Sequence, residues 1–296
     1  MIVQNQSNLK VHFAAAENNN HFCELKAGGA NYLLFTVFPL ICQKFGIKTV
    51  PYGNEITNTA KKVYENSNHC IMDSGLFTLM FGSHKGQKDE KFINKWYSEL
   101  IGYVSDRGYK GTCVEVDCQK VLGVEKAWEF RQRMKNDLPN NRQINVFHKE
   151  DGRKGLDRMI EFSDYIAISV PELRFLGQKN YTEHLAHYIK NKKPSIDIHL
   201  LGCTELKLLK NLSFCSSSDS TSWNSGVRYG LITLRNGKKG HISKLRKEHY
   251  EPYLKDVIRL HKETGAKITS GMRSGILAFQ VNELINQYSN YAGNQD

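Results

Sequence analysis

The sequence predicts a single α/β domain whose strands close into a (β/α)8 barrel, and three observations carry that expectation. Short apolar or β-branched runs alternate with amphipathic stretches of helical length, the pattern of βαβ units and a parallel sheet. The 296 residues suffice for one large barrel or two smaller domains, and no low-complexity segment or long linker divides them. Polar, mostly acidic residues close the apolar runs, at the strand ends where barrel enzymes keep their chemistry. A doubly wound sheet shares the alternation and remains the alternative.

In chain order the predicted strands are Val11–Ala16, His69–Ser74, Thr112–Cys118, Ile144–His148, Tyr165–Ser169, Asp197–Gly202 and Phe214–Ser218. Most are followed by polar or glycine turns and then by helical periodicity. An eighth strand is expected within Gly230–Ile242, completing the barrel count. Between the strands, Asp89–Tyr103, Val124–Met134, Thr182–Lys190 and Glu205–Leu212 carry apolar residues at helical spacing. Glu251–Tyr291 reads as two further helices, expected to form a C-terminal cap on one domain spanning 1–296.

Composition narrows the class. Apolar content of 40% and charged content of 24% are ordinary for a soluble globular chain, and no apolar run is long enough to span a bilayer. The start, MIVQNQSNLKVHF, lacks the basic head and apolar stretch of a secretory signal, which predicts a cytoplasmic protein, in the host's cytoplasm if a phage encodes it. Seven scattered cysteines without a Cys-x-x-Cys pair predict reduced core thiols and no structural zinc. The net charge of +11 points to a polyanion, because cationic side chains displace counterions condensed on phosphates. Its basic residues gather in Arg228–Lys247 and again in Lys149–Arg158, which favours a docking surface over diffuse charge.

The strand ends carry Asp73 (IMDSG), Asp117 (VEVDC), His148 and Glu150 (VFHKED), Ser169 (AISVPE), Gly202 (HLLGCT) and Asp219 (SSSDSTSW). Each aspartate alone has a structural reading: Asp before Ser-Gly forms turns, and Asp before Ser-Thr caps helices. Together they define a pocket. Two carboxylates facing one anomeric carbon suit glycosyl transfer with retention, one attacking and the other handling the leaving group's proton. The acid then needs a raised pKa, which burial beside a second carboxylate supplies. Spacing alone does not distinguish attacker from acid.

From Cys70 to Ile242 these motifs, in the same order, resemble the tRNA-guanine transglycosylase superfamily, and most of all its smaller phage and bacterial members that place 7-deazaguanines in DNA. The resemblance implies a (β/α)8 barrel without redox or nucleotide cofactor that exchanges guanine in DNA for a free 7-deazaguanine base of the 7-cyano type. Asp73-Ser74-Gly75-Leu76-Phe77 is similar to the family's DSGG-aromatic motif, implying that Asp73 handles the proton and Phe77 stacks on the base. Asp117 would read the guanine edge, His148 falls near the family's glutamine, and Ser169 near its glycine-rich turn. Leu201 would cover the other face of the base beside Gly202, and Asp219 sits where the family keeps its nucleophile. Arg228, Arg235, Lys238 and Lys239 belong to a stretch similar to the basic hairpin that follows, implying phosphate contacts.

The tRNA enzymes carry a Cys-x-Cys-x-x-Cys…His zinc subdomain where this chain reads YEPYLKDVIRLHKETGAK, which favours DNA over tRNA as the polymer. The rival readings are the same exchange on tRNA, an inactive barrel that only binds nucleic acid, and a retaining glycoside hydrolase. Three tryptophans make few platforms for sugars and weigh against the last.

Overall fold

The computed structural model describes residues 9–47, 55–76, 78, 89–175, 180–264 and 271–292. Eight parallel strands close into a barrel in sequence order: β1 Lys10–Phe13, β2 Tyr32–Thr36, β3 His69–Asp73, β4 Thr112–Val114, β5 Gln143–Phe147, β6 Tyr165–Ser169, β7 Asp197–Leu201 and β8 Ser217–Ser220. The ring closes where β8 pairs with β1, from Lys10 opposite Ser217 to Phe13 opposite Ser220. The fold is the expected (β/α)8 barrel.

One strand differs from the expectation. The eighth member is Tyr32–Thr36, and Gly230–Ile242 lies outside the barrel as an antiparallel hairpin of β9 Leu231–Thr233 and β10 Lys239–His241. A run as short as YLLFT does not declare helix or strand by its periodicity, so its place became visible only in the sheet. The hairpin contains Asn236-Gly237, with Gly237 at φ +81°, and such a pair turns a chain back antiparallel to itself. A parallel barrel has no place for that pairing.

Period-two alternation fixes what each strand offers the interior. Leu34, Ile71, Val114, Ile144, Val146, Tyr165 and Ala167 fill the barrel, while Leu33, Phe35, Cys70, Met72, Ile166, Ile168 and Leu200 face the surrounding helices. Counting on by twos along the same face brings Ile71 to Asp73, Val146 to His148, Ala167 to Ser169 and Ser217 to Asp219. Asp73, His148, Ser169 and Asp219 therefore share the barrel's inner face by parity, while Asp117, three residues past the inward-facing Val114, reaches the cavity from beyond its strand.

The helices wrap the barrel through apolar stripes. In Glu90–Asp106 the buried residues Ile93, Trp96, Tyr97, Leu100 and Val104 follow helical spacing, and Asp89 caps the start by accepting the Phe92 N–H at 2.8 Å. All seven cysteines are buried and free. The C-terminal pair, Lys247–Thr264 and Met272–Ala292, lies on the flank of the barrel. Its second helix packs on Asn19–Ala27, Leu206–Asn211, Ser222–Arg228 and β1, completing the outer layer rather than capping a barrel end. Gly28 permits that approach, since a Cβ there would meet the Ala278 carbonyl and Val281 Cβ at 2.6 Å. No described helix is long and apolar enough to cross a membrane.

Candidate active site

A cavity of about 760 Å³ opens at the C-terminal ends of the strands, lined by Asp73, Asp117, His148, Ser169, Leu201 and Asp219 among others. Its walls are mostly apolar, with a few convergent polar groups, as ligand sites are. A hollow of similar size, about 800 Å³, lies between the outer helices around Trp128 and Phe162. It is open, and its rim charges Arg133, Asp137 and Arg158 take part in surface ion pairs.

Asp73 ends β3 and is both turn former and pocket wall. Its Oδ1 accepts the Gly75 N–H at 2.8 Å, and Gly75 sits at φ +73° with Phe38 Cβ only 2.5 Å from where its own Cβ would be. The turn and the functional reading are thus compatible. Burial pushes the Asp73 carboxyl up to about 6; the Gly75 N–H opposes this, and the nearby Asp219 and Asp117 reinforce it.

Asp219 faces inward from β8, and its Oδ1 accepts the Gly202 N–H at 2.9 Å and a hydrogen bond from His199 Nε2 at 3.1 Å. It does not cap the following helix: Thr221 is the N-cap residue there, and the Ser222 N–H goes to Ser220 Oγ at 2.9 Å. The Gly202 turn, at φ +66°, aims the N–H of this residue into the site.

Asp117 lies beyond β4, with Oδ1 at 2.8 Å from His148 Nε2. His148 is 2% exposed, and its Nδ1 meets Glu172 Oε2 at 2.9 Å. Burial would lower the imidazole, but the two carboxylates overcome it and raise His148 to about 10, while Glu172, against its own burial, is held down at about 2 by His148 and Lys120. Both ring nitrogens of His148 are committed, so its contribution is to hold Asp117 rather than to offer a donor to a ligand. Lys120 Nζ continues the chain, 2.8 Å from Glu172 and 2.6 Å from both Glu150 oxygens. His148, Glu150 and Glu172 have metal-ligand spacing, yet the Lys120 ammonium already bridges the two glutamates where a cation would sit.

Ser169 and Leu201 end β6 and β7 at the cavity wall, and Leu201 also packs on the barrel's interior cluster, so its core and site readings coincide. Phe77 lies outside the described residues. Arg228, Lys238 and Lys239 are exposed on and before the hairpin, with no ion pair among the described residues. Arg235 differs: its Nε donates to Glu283 Oε1 at 2.9 Å and its backbone N–H to Oε2 at 2.9 Å, anchoring the hairpin to the C-terminal helix. Gln280 clasps both the N–H and the carbonyl of Thr233, which makes the same joint.

Sequence reasoning missed His199, Lys120, Glu172 and Glu17. His199 stood in the HLLGCT segment two residues before Leu201, and parity along β7 was the signal that could have found it. Glu17 follows β1 close to Asp73, accepts the Thr36 N–H at 3.3 Å, and is pushed by burial up to about 7. No protein-family model and no curated protein matches this chain.

Proposed function

We propose that the protein is a base-exchange transglycosylase that replaces guanine in DNA with a 7-deazaguanine derivative through a covalent aspartyl-glycosyl intermediate. The observation that carries this reading is the convergence of Asp73, Asp117 and Asp219 on one cavity, with Asp73 held near pKa 6. Such an arrangement supplies an attacking carboxylate and an acid/base that is active in both forms near neutrality.

A guanine nucleotide turned out of its stack enters the barrel mouth, at a cost of a few kcal/mol. Asp219 attacks C1′ as the bond to the base breaks, and Asp73 protonates the departing guanine. A free 7-deazaguanine then binds with its ring N–H and amino group against Asp117, whose carboxylate is anchored by His148. Its attack on C1′ returns the proton to Asp73 and releases Asp219. The ester conserves the energy of the glycosidic bond, so no cofactor is consumed. The exposed Arg228, Lys238 and Lys239 follow Asp219 in the chain and suit phosphate contacts. DNA is preferred over tRNA because Lys247–Thr264, which covers most of the segment that would carry zinc ligands, is helix here and packs on Asn19–Ala27.

The test is incubation with duplex DNA, single-stranded DNA and tRNA, each with labelled guanine. Label entering DNA, with an adduct that survives denaturation, supports the proposal. Label entering tRNA alone moves the reaction to that polymer, and no adduct with any of the three overturns it.

The two half-reactions also carry opposite pH dependences. Adduct formation needs Asp73 protonated, so its rate is expected to fall about tenfold per unit once pH rises past about 6. Capture of the incoming base needs the carboxylate and is expected to rise through the same pH. Single-turnover rates of each step between pH 5 and 8 check this, and Asp73→Asn should remove both inflections.

A further inference from the structure

The nucleophile's surroundings continue downward into the barrel. Below Asp219, His199 is fully buried, and its Nδ1 is hydrogen-bonded to Ser217 Oγ, which in turn meets the Tyr165 hydroxyl. Ser217 and Tyr165 are each 2% exposed, so both are shielded from bulk water. Four groups from β6, β7 and β8 thus form one line: Tyr165, Ser217, His199, Asp219.

Only one arrangement of protons satisfies every member. The Tyr165 phenol has Ser217 as its one hydrogen-bond partner among the described residues, and burial pushes its pKa well up, so it stays protonated and donates. Ser217 Oγ, having accepted from Tyr165, donates to His199 Nδ1. His199 Nδ1 must therefore be the bare nitrogen, and Nε2 carries the hydrogen that points at Asp219 Oδ1. An imidazolium would turn an Nδ1–H towards Ser217 Oγ, and either the phenol hydrogen or the serine hydrogen would then be left buried without an acceptor among the described residues. Stranding a buried donor costs about 1–3 kcal/mol.

From this geometry we infer that His199 is a neutral positioning residue for the nucleophile, fixed in its Nε2–H form by Ser217 and Tyr165, and that Asp219 attacks through Oδ2. This inference rests on the transglycosylase reading for the word attack, though the proton order does not. Gly202 and His199 both donate to Oδ1, and no described group bonds Oδ2, which is left to the cavity. In the first step the Oδ2–C1′ bond forms while the C1′–N9 bond breaks. Its electron pair leaves with the base, which takes the Asp73 proton. Oδ1 becomes the ester carbonyl oxygen, still held by the same two donors, and it regains charge when the incoming base displaces Oδ2. A neutral N–H directs the carboxylate without the full charge of an imidazolium to damp its nucleophilicity.

Two measurements on the full-length protein decide it. Nitrogen-15 NMR of the histidine rings at pH 7.5 should find His199 neutral with the proton on Nε2; an imidazolium or an Nδ1–H form overturns the proton order, whatever the protein's activity. Kinetically, His199→Leu should slow adduct formation on guanine-containing DNA, or on tRNA if that is the substrate, by roughly 100-fold, the scale of a misplaced reacting group. Nucleic-acid affinity should stay within about twofold. His199→Gln places an N–H near the Nε2 position and should recover most of the loss, which distinguishes positioning from packing. Equal impairment of the Leu and Gln variants, or a loss of affinity matching the loss of rate, overturns the role. Should the unaltered protein form no adduct with either polymer, the functional reading falls and the kinetic role with it, while the NMR result still decides the proton order.

Discussion

Asp219→Asn is expected to abolish the covalent adduct and to lower base exchange by roughly a thousandfold or more, the scale on which covalent catalysts lose rate with their nucleophile. The substitution is isosteric. Its side-chain oxygen still accepts the Gly202 N–H and the His199 hydrogen, so the β7–β8 strand ends keep their geometry. What is lost is the second carboxylate oxygen, replaced by an amide nitrogen without nucleophilic character. In the proposed function nucleic acid is held by the exposed Arg228, Lys238 and Lys239 outside the cavity, so binding is expected to keep its affinity and salt dependence. Denaturing gel analysis of mixtures with labelled DNA reads the adduct, and titrations at two salt concentrations read the binding. An adduct of undiminished yield from Asp219→Asn would remove this residue as the attacker.

Arg131→Met is expected to destabilise the fold strongly. Arg131 is 1% exposed on helix Val124–Asp137, and its guanidinium meets Glu115 through Nε at 2.8 Å and Nη2 at 3.0 Å. Nη2 also donates to Gln119 Oε1 and to the Val146 carbonyl, both at 3.1 Å. Glu115 in turn accepts Asn145 Nδ2 at 2.8 Å and the Val146 N–H at 3.1 Å, so one buried ion pair joins the ends of β4 and β5 to an outer helix. Removing the cation leaves a buried carboxylate without its charge partner, at a cost of about 3–5 kcal/mol. At roughly 2 °C per kcal/mol for a chain of this size, thermal unfolding should shift down by about 6–10 °C. Asp117 lies two residues after Glu115, so activity should fall with stability. Removing both charges, as Arg131→Met with Glu115→Leu, should recover part of the loss, because Glu115 is no longer stranded, while the buried Asp151, 3.8 Å from Arg131 Nη1, still lacks its partner. A shift under 2 °C in the single variant would contradict this account.

Much of the barrel is legible in the sequence. The sequence predicts Tyr165–Ser169 to its end residues because a β-branched and apolar run between turn residues leaves little choice of conformation. Thr112–Cys118 is longer than the strand found, since the Glu115 N–H makes the last bond to β5 and Val116 to Cys118 run on beyond it, and Phe214–Ser218 starts early relative to Ser217–Ser220. The aspartates were legible as a set because a charge closing an apolar strand is costly unless something uses it. Their partners were not. His148 and Glu172 are 24 residues apart, and Tyr165 and Ser217 are 52 apart; such pairings depend on which strands become neighbours and in what register.

Local pattern by itself determined the alternating α/β class and the acidic strand ends, because strand alternation and helix periodicity are properties of neighbouring residues, while a closed barrel and a doubly wound sheet share that pattern. Only the tertiary structure decided that Tyr32–Thr36 is the eighth strand and Gly230–Ile242 a hairpin on the flank. Only there do His148 and Glu172 anchor Asp117, and only there does a buried chain from Tyr165 orient Asp219. Ring closure is the physical reason. It brings β8 against β1 and aligns residues from seven strands around one cavity, and no stretch of sequence contains that proximity.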